Sequence, residues 1–180
     1  MTPDTLSAAV GCPILRAAKW CDALNAAMAE YGITTPKRQA AFLAQIGHES
    51  GGLLYVRELW GPRPAQIRYE GRKDLGNTVE GDGFRYRGRG LIQVTGRDNY
   101  RRCGDALGLP LEKYPEQLEI PENAARSAGW YWKTHGCNEI ADAGDFRQLT
   151  RRINGGLNGL DDRQGRLMRA ESAFEQHGLA

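Results

Sequence analysis

Apolar residues recur near every 3.6 positions over residues 12–32, where Ile14, Ala18, Cys21, Leu24 or Asn25, Met28 and Tyr31 share one side. That period predicts an α-helix, with Gly32 as its stop. Thr35 and Pro36 supply a cap and a first-turn proline for a second helix, which carries an apolar stripe of Phe42, Leu43 and Ile46 and is stopped by Gly51 and Gly52. His48 and Glu49 therefore fall at its C-terminal end. Residues 65–77 predict a short helix. Over residues 77–96 the helical period is lost, and the pattern predicts turns around short extended pieces, with Phe84, Tyr86, Leu91, Ile92 and Val94 available for packing. Helical spacing resumes over 96–108, 121–136, 145–155 and 160–178. In the last of these, Leu160, Leu167, Glu171 and Phe174 mark a heptad-like face. The expected fold class is mainly α, with a small irregular or β-containing central region.

A chain of 180 residues with 41% hydrophobic residues can bury one real core but not two ordinary ones. With no internal repeat or low-complexity linker, residues 1–180 are expected to form a single domain. The 23 glycines have no three-residue period, which excludes collagen and points to structured loops. The start of the chain has no basic segment leading into an apolar run, and no stretch reaches 18 apolar residues. Neither a signal peptide nor a transmembrane segment is expected, so synthesis in a cytoplasm follows. Cys12, Cys21, Cys103 and Cys137 lack close pairing and read as free or partly buried thiols, with a bridge between Cys103 and Cys137 left open.

Charge is uneven although the net charge is only +2. Residues 57–102 hold eleven basic side chains against six acidic ones, whereas 112–122 hold four Glu and one Lys. A basic face attracts polyanions, either nucleic acid or an acidic cell-wall polymer. No nucleic-acid-binding pattern accompanies it, so nucleic acid is not an expected partner.

The chemistry concentrates around two carboxylates. Glu49 ends an apolar helix, and Glu58 follows beyond the Gly51–Gly52 break. A pair about 6.5–9.5 Å apart lets one carboxyl protonate a glycosidic oxygen while the other deprotonates an attacking water. His48 is not part of an HExxH pattern, and His135 and His177 have no ligand neighbours, so no metal is expected. The stretch FRYRGRGLIQVTGRDNY has neither a P-loop nor a dinucleotide fingerprint, but it offers Gln93, Thr95 and Asn99 to water or sugar hydroxyls. Rings at Tyr55, Trp60, Tyr69, Phe84, Tyr86, Trp130, Tyr131 and Trp132 suit the apolar faces of sugars. Trp130 and Trp132 cannot share one side of a helix, so one belongs to the core while the other approaches the cleft. Asn154 and Arg163 add polar groups near the C-terminus.

Taken as a series, AFLAQIGHESGG, Glu58, YRGRGLIQVTGRDNY, GWYWKTHG, and INGGLNG with DDR resemble family 19 glycoside hydrolases. Within the family they are most similar to compact phage-type endolysins that cut bacterial peptidoglycan. The resemblance implies a lysozyme-like bilobal helical fold and an inverting cleavage, with Glu49 as general acid, Glu58 as general base and Thr95 helping Glu58 hold the water. It implies substrate contacts from His48, Tyr86, Gln93, Asn99, Trp132 and Asn154, with Arg163 supporting the carboxylates. It further implies no cofactor, no separate wall-binding domain, a monomer, and accumulation in the host cytoplasm until a holin-like membrane permeabiliser releases the enzyme to the wall. Chitin as substrate and a noncatalytic wall-binding domain are the alternatives. The chemistry asks for a drier setting at Glu49 and a more open one at Glu58.

Overall fold

The computed structural model describes residues 1–179; Ala180, the last residue of the expected domain, lies outside them. The helices run α1 (Pro3–Val10), α2 (Ile14–Glu30), α3 (Pro36–Glu49), α4 (Pro64–Ile67), α5 (Asp82–Arg85), α6 (Arg97–Leu107), α7 (Pro121–Thr134), α8 (Cys137–Ala143), α9 (Phe146–Asn154) and α10 (Leu160–Gln176). Short 3-10 turns occupy Lys73–Leu75 and Pro115–Glu119. None of these helices is long and apolar enough to cross a membrane.

The expected helices form, with instructive differences. The Thr35 hydroxyl accepts from the Arg38 N–H at 3.2 Å and starts α3 as its spacing requires. The same chemistry at the N-terminus, with Thr2 accepting from Thr5 and Pro3 at the first position, builds α1. Sequence reading did not assign this helix, nor α8, whose seven residues are too few to show a period. Along α2 the buried face runs through Ala17, Trp20, Cys21, Leu24, Ala27 and Met28, leaving Ile14 and Ala18 outside it. On α10 the buried positions are Arg163, Ala170, Ala173 and Phe174, and Glu171 is exposed. The apolar pattern finds Phe174 in the core and Leu167 packed against it, and misses Arg163 because an arginine does not register as apolar. The short helix expected over 65–77 ends at Ile67, and a 3-10 turn follows beyond Gly71. The extended pieces of the centre shrink to two isolated antiparallel bridges, Arg57 with Arg89 and Arg89 with Val94.

Two apolar clusters result. The larger joins α1, α2, α3 and α7–α10, and the smaller gathers Tyr86, Val94, Tyr100, Cys103, Leu107, Leu111 and Leu118. Tyr31 packs against both, so the end of α2 ties them together. Two expected substrate contacts lie inside these clusters and are corrected here. Trp132 is fully buried, edge-on to Phe42 with ring centroids 5.2 Å apart, and its Nε1 donates to Asn138 Oδ1 at 2.8 Å. Tyr86, 1% exposed, packs on Tyr100 and donates to the Glu112 carbonyl at 2.9 Å. Each ring has its polar atom satisfied internally, so neither is available to a sugar. All four cysteines are buried and unbridged, and burial pushes the Cys103 and Cys137 thiols up to about 12.

The smaller cluster is braced by Asp82, whose side chain is 3% exposed. Its carboxylate accepts from Arg97 Nη2 at 2.6 Å and from the Thr78 and Val79 N–H groups at 3.1 and 3.0 Å. Burial alone would raise its pKa, but Arg97 and the two N–H groups outweigh it and hold the carboxyl below its ordinary value. A depressed folded-state pKa means stabilisation that is present above the unfolded value, about 3.9, and lost as pH falls through the folded one. Asp82→Asn is therefore expected to cost about 2 kcal/mol at pH 7. Denaturant unfolding should show the gap closing in strong acid; a gap independent of pH would contradict this account.

Candidate active site

The chain turns sharply after α3. Gly51 and Gly52 take left-handed backbone with φ of 59° and 72°, and Leu53 follows at 63°. For a non-glycine residue that conformation costs about 1–2 kcal/mol, and here burial of the Leu53 side chain and a 2.8 Å bond from its N–H to Ser50 Oγ offset it. This reversal carries the chain from Glu49 to the segment that holds Glu58.

Glu58 is fixed by backbone and side chain together. Its N–H donates to the Gly88 carbonyl at 2.8 Å, and its Oε2 accepts from the Gly88 N–H at 3.3 Å. Oε1 accepts from Gln66 Nε2 at 3.0 Å. Gln66 is itself buried and accepts from the Arg63 N–H at 2.9 Å, so its orientation is set. A Cβ at Gly88 would run into the Gln93 side chain, which explains a glycine there. Burial and then the nearby Glu58 charge push the Tyr69 phenol up. Trp60 packs between Tyr69 and Phe84, with centroids 6.4 and 5.2 Å away.

Glu49 is held differently. Arg163 Nη2 donates to its Oε1 at 2.5 Å, with the arginine side chain 2% exposed and the glutamate 25%. The other arm of the same guanidinium reaches Gln45 Oε1 at 2.5 Å, and Gln45 Nε2 donates to Thr150 Oγ1 at 3.1 Å. Arg163 Nε donates to the Asn158 carbonyl at 3.2 Å. Both glutamates are half-buried, so the expected contrast of dry against open is not expressed as exposure. The contrast lies in partners instead: a guanidinium at Glu49, neutral amide donors at Glu58.

Glu49 and Glu58 line one open cleft of about 390 Å³ with Tyr55, Arg57, Arg63 and Gln93. Gln93 also lines an adjoining compartment of about 330 Å³, together with Thr95, Asn99, Arg102, Trp130 and His135. Thr95 thus borders the neighbouring compartment rather than the one holding the glutamates. Its carbonyl accepts from Asn99 Nδ2 at 2.6 Å. Of the two tryptophans, Trp130 lines the adjoining compartment. His48 Nδ1 meets Asp162 Oδ2 at 2.7 Å and its ring packs against Gly159, which makes it a brace between α3 and α10. Asn154 ends α9 outside both compartments, with its Nδ2 shielded and unpartnered. Sequence reasoning did not single out Gln45, Gln66, Arg57 or Arg63, because a lone Gln or Arg carries no local signal. Among the described residues no cluster of three His, Cys, Asp or Glu is placed to hold a metal.

A protein of Haemophilus influenzae described as a glycosyl hydrolase family 19 domain-containing protein is 37% identical over 169 residues, covering 78% of this chain and 82% of that relative. The chain belongs to glycosyl hydrolase family 19. It is a glycoside hydrolase. An endochitinase of Arabidopsis thaliana is 39% identical over 130 residues, covering 71% of this chain; the chain spans only 43% of that plant enzyme's length. Among solved structures, chitinase C of Streptomyces griseus aligns with a TM-score of 0.77 at 25% identity, covering 97% of this chain and 76% of its own. A bacterial family 19 chitinase aligns with a TM-score of 0.70 at 27% identity, over 84% of each chain. The family 19 fold accounts for the mainly helical architecture. No family model matches the chain.

Proposed function

We propose that this family 19 hydrolase is an endolysin that cuts the β-1,4 glycosidic bonds of bacterial peptidoglycan by inverting acid–base catalysis. Glu49 protonates the leaving oxygen, Glu58 deprotonates the water, and Gln93 contacts the glycan between the two compartments. Arg163 orients Glu49 through its fork. The observation that carries the substrate is charge: Arg57 and Arg63 line the cleft beside the glutamates, and Arg63 has no acidic partner among the described residues. Peptidoglycan carries carboxylates on its peptide stems, whereas chitin is uncharged, so an arginine without an acidic partner beside the glutamates favours the former. In this reading the enzyme works as a single-domain monomer, released to the wall from the host cytoplasm by a separate holin-like permeabiliser.

Chitin is the second reading, favoured by the endochitinase and chitinase names of its relatives. Mass analysis of products from purified peptidoglycan and from chitin separates them. Muropeptides with newly exposed reducing ends are the expected result; chitooligosaccharides alone would establish the chitinase. Folded protein releasing reducing ends from neither polymer would leave only a noncatalytic wall-binding module.

A further inference from the structure

The compartment beyond Gln93 is built from two helices. Thr95, Asn99 and Arg102 come from α6 and the turn before it, and Trp130, Tyr131 and His135 from α7 and its C-cap. The α7 part is tied by internal contacts. Tyr131 and His135 stack at 3.8 Å with planes 15° apart, and the Tyr131 hydroxyl donates to the Arg152 carbonyl at 2.9 Å. The α6 part presents one cation. Arg102 is exposed, and among the described residues it has no acidic partner, whereas its neighbour Arg101 is paired with Asp98 at 2.7 Å. Arg102 Nη2 donates to Asn99 Oδ1, while Asn99 Nδ2 donates to the Thr95 carbonyl at 2.6 Å.

Each end of the Asn99 amide makes one of these bonds, and one N–H and one lone pair remain for a sugar hydroxyl. Asn99 tethers the Arg102 guanidinium by one hydrogen bond and leaves its further N–H groups free. A tethered guanidinium without an acidic partner, beside an aromatic wall, is suited to a carboxylate attached to a sugar ring.

We propose that this compartment recognises a carboxylate carried on the 3-O side of a muramyl sugar, with Arg102 as the recognising group and Asn99 as its positioning residue. The inference rests on the peptidoglycan reading, and it names the feature that separates a muramyl sugar from the uncharged sugars of chitin. The carboxylate has two sources: the lactyl group itself once the stem is removed, or the peptide stem attached to it.

The test measures kcat/KM for wild type, Arg102→Ala and Arg102→Lys on intact peptidoglycan, on glycan strands stripped of stems by an amidase, and on chitohexaose. Arg102→Ala is expected to lower the ratio of muramyl-substrate to chitohexaose kcat/KM by about tenfold, mainly through KM, with Arg102→Lys restoring part of it. A fall on intact peptidoglycan alone assigns the stem carboxylate, a fall on stripped strands alone assigns the lactyl carboxylate, which is an amide while the stem is attached, and a fall on both shows that Arg102 takes either. An unchanged ratio in a folded Arg102→Ala variant overturns the inference while leaving the endolysin reading intact. Wild-type activity on chitohexaose with none on either muramyl substrate overturns that reading, and this inference with it.

Discussion

Glu58→Gln and Glu49→Gln are each expected to lower kcat by about 10³-fold while the protein remains folded. The amide of glutamine can neither take a proton from water nor give one to a glycosidic oxygen, yet it keeps the shape of the side chain it replaces. The two variants should differ in stability. At position 58 the carboxylate accepts from Gln66 and from Gly88, and an amide has one oxygen for two donors. The mismatch should cost about 1 kcal/mol, or about 2–4 °C in Tm for a chain of this size. At position 49 the change leaves the Arg163 charge without its carboxylate, and the cost should be larger. The assignment of acid and base separates on a substrate whose leaving group departs unprotonated. A nitrophenyl chitooligosaccharide should recover much of the rate for Glu49→Gln and little for Glu58→Gln. Near-normal turnover in either folded variant removes that residue from its role, and equal recovery in both removes the division of labour.

The second large effect is expected at Arg163, where one buried guanidinium ties Glu49, Gln45 and the Asn158 carbonyl together. Arg163→Ala leaves a half-buried carboxylate and a buried amide oxygen without donors. It should destabilise the protein by about 3 kcal/mol and lower kcat by displacing Glu49. Lysine keeps the charge but not the fork, so Arg163→Lys should recover less than half of either loss. Glu49→Gln made in the Arg163→Ala background should cost less than it does alone, with a coupling of about 1–2 kcal/mol in a denaturation double-mutant cycle. Additive effects at the two positions would show that the ion pair does not hold the glutamate in place.

Asp82 and Arg163 make a useful pair in judging what was legible beforehand. Both are charged, both are almost fully desolvated, and neither belongs to an apolar pattern. Periodicity reports which faces avoid water, so it found Phe42, Leu43 and Ile46 on α3 and missed the arginine on the buried face of α10. The same blindness affected the aromatics. Helical spacing keeps Trp130 and Trp132 off one common side, but which one is core follows from the Phe42 and Asn138 contacts of Trp132, residues 90 and 6 positions away in the chain. Gln66 and Gln45, the neutral groups that orient the carboxylates, gave no advance sign because a glutamine acquires meaning only from what lies opposite it.

Local sequence by itself determined most of the helices, the break after α3 that separates Glu49 from Glu58, and the positive charge of the central segment. Those features depend on residues close in the chain: caps, apolar spacing and glycine's backbone freedom. A matching series of motifs also supplied the family and its fold. Only the tertiary structure decided that Glu49 is gripped by a buried arginine while Glu58 is cradled by amides, that Tyr86 and Trp132 belong to the cores, and that Arg102 faces a compartment without a partner. Each of these depends on which distant groups share a desolvated space, where an unpaired charge is costly and a paired one is fixed.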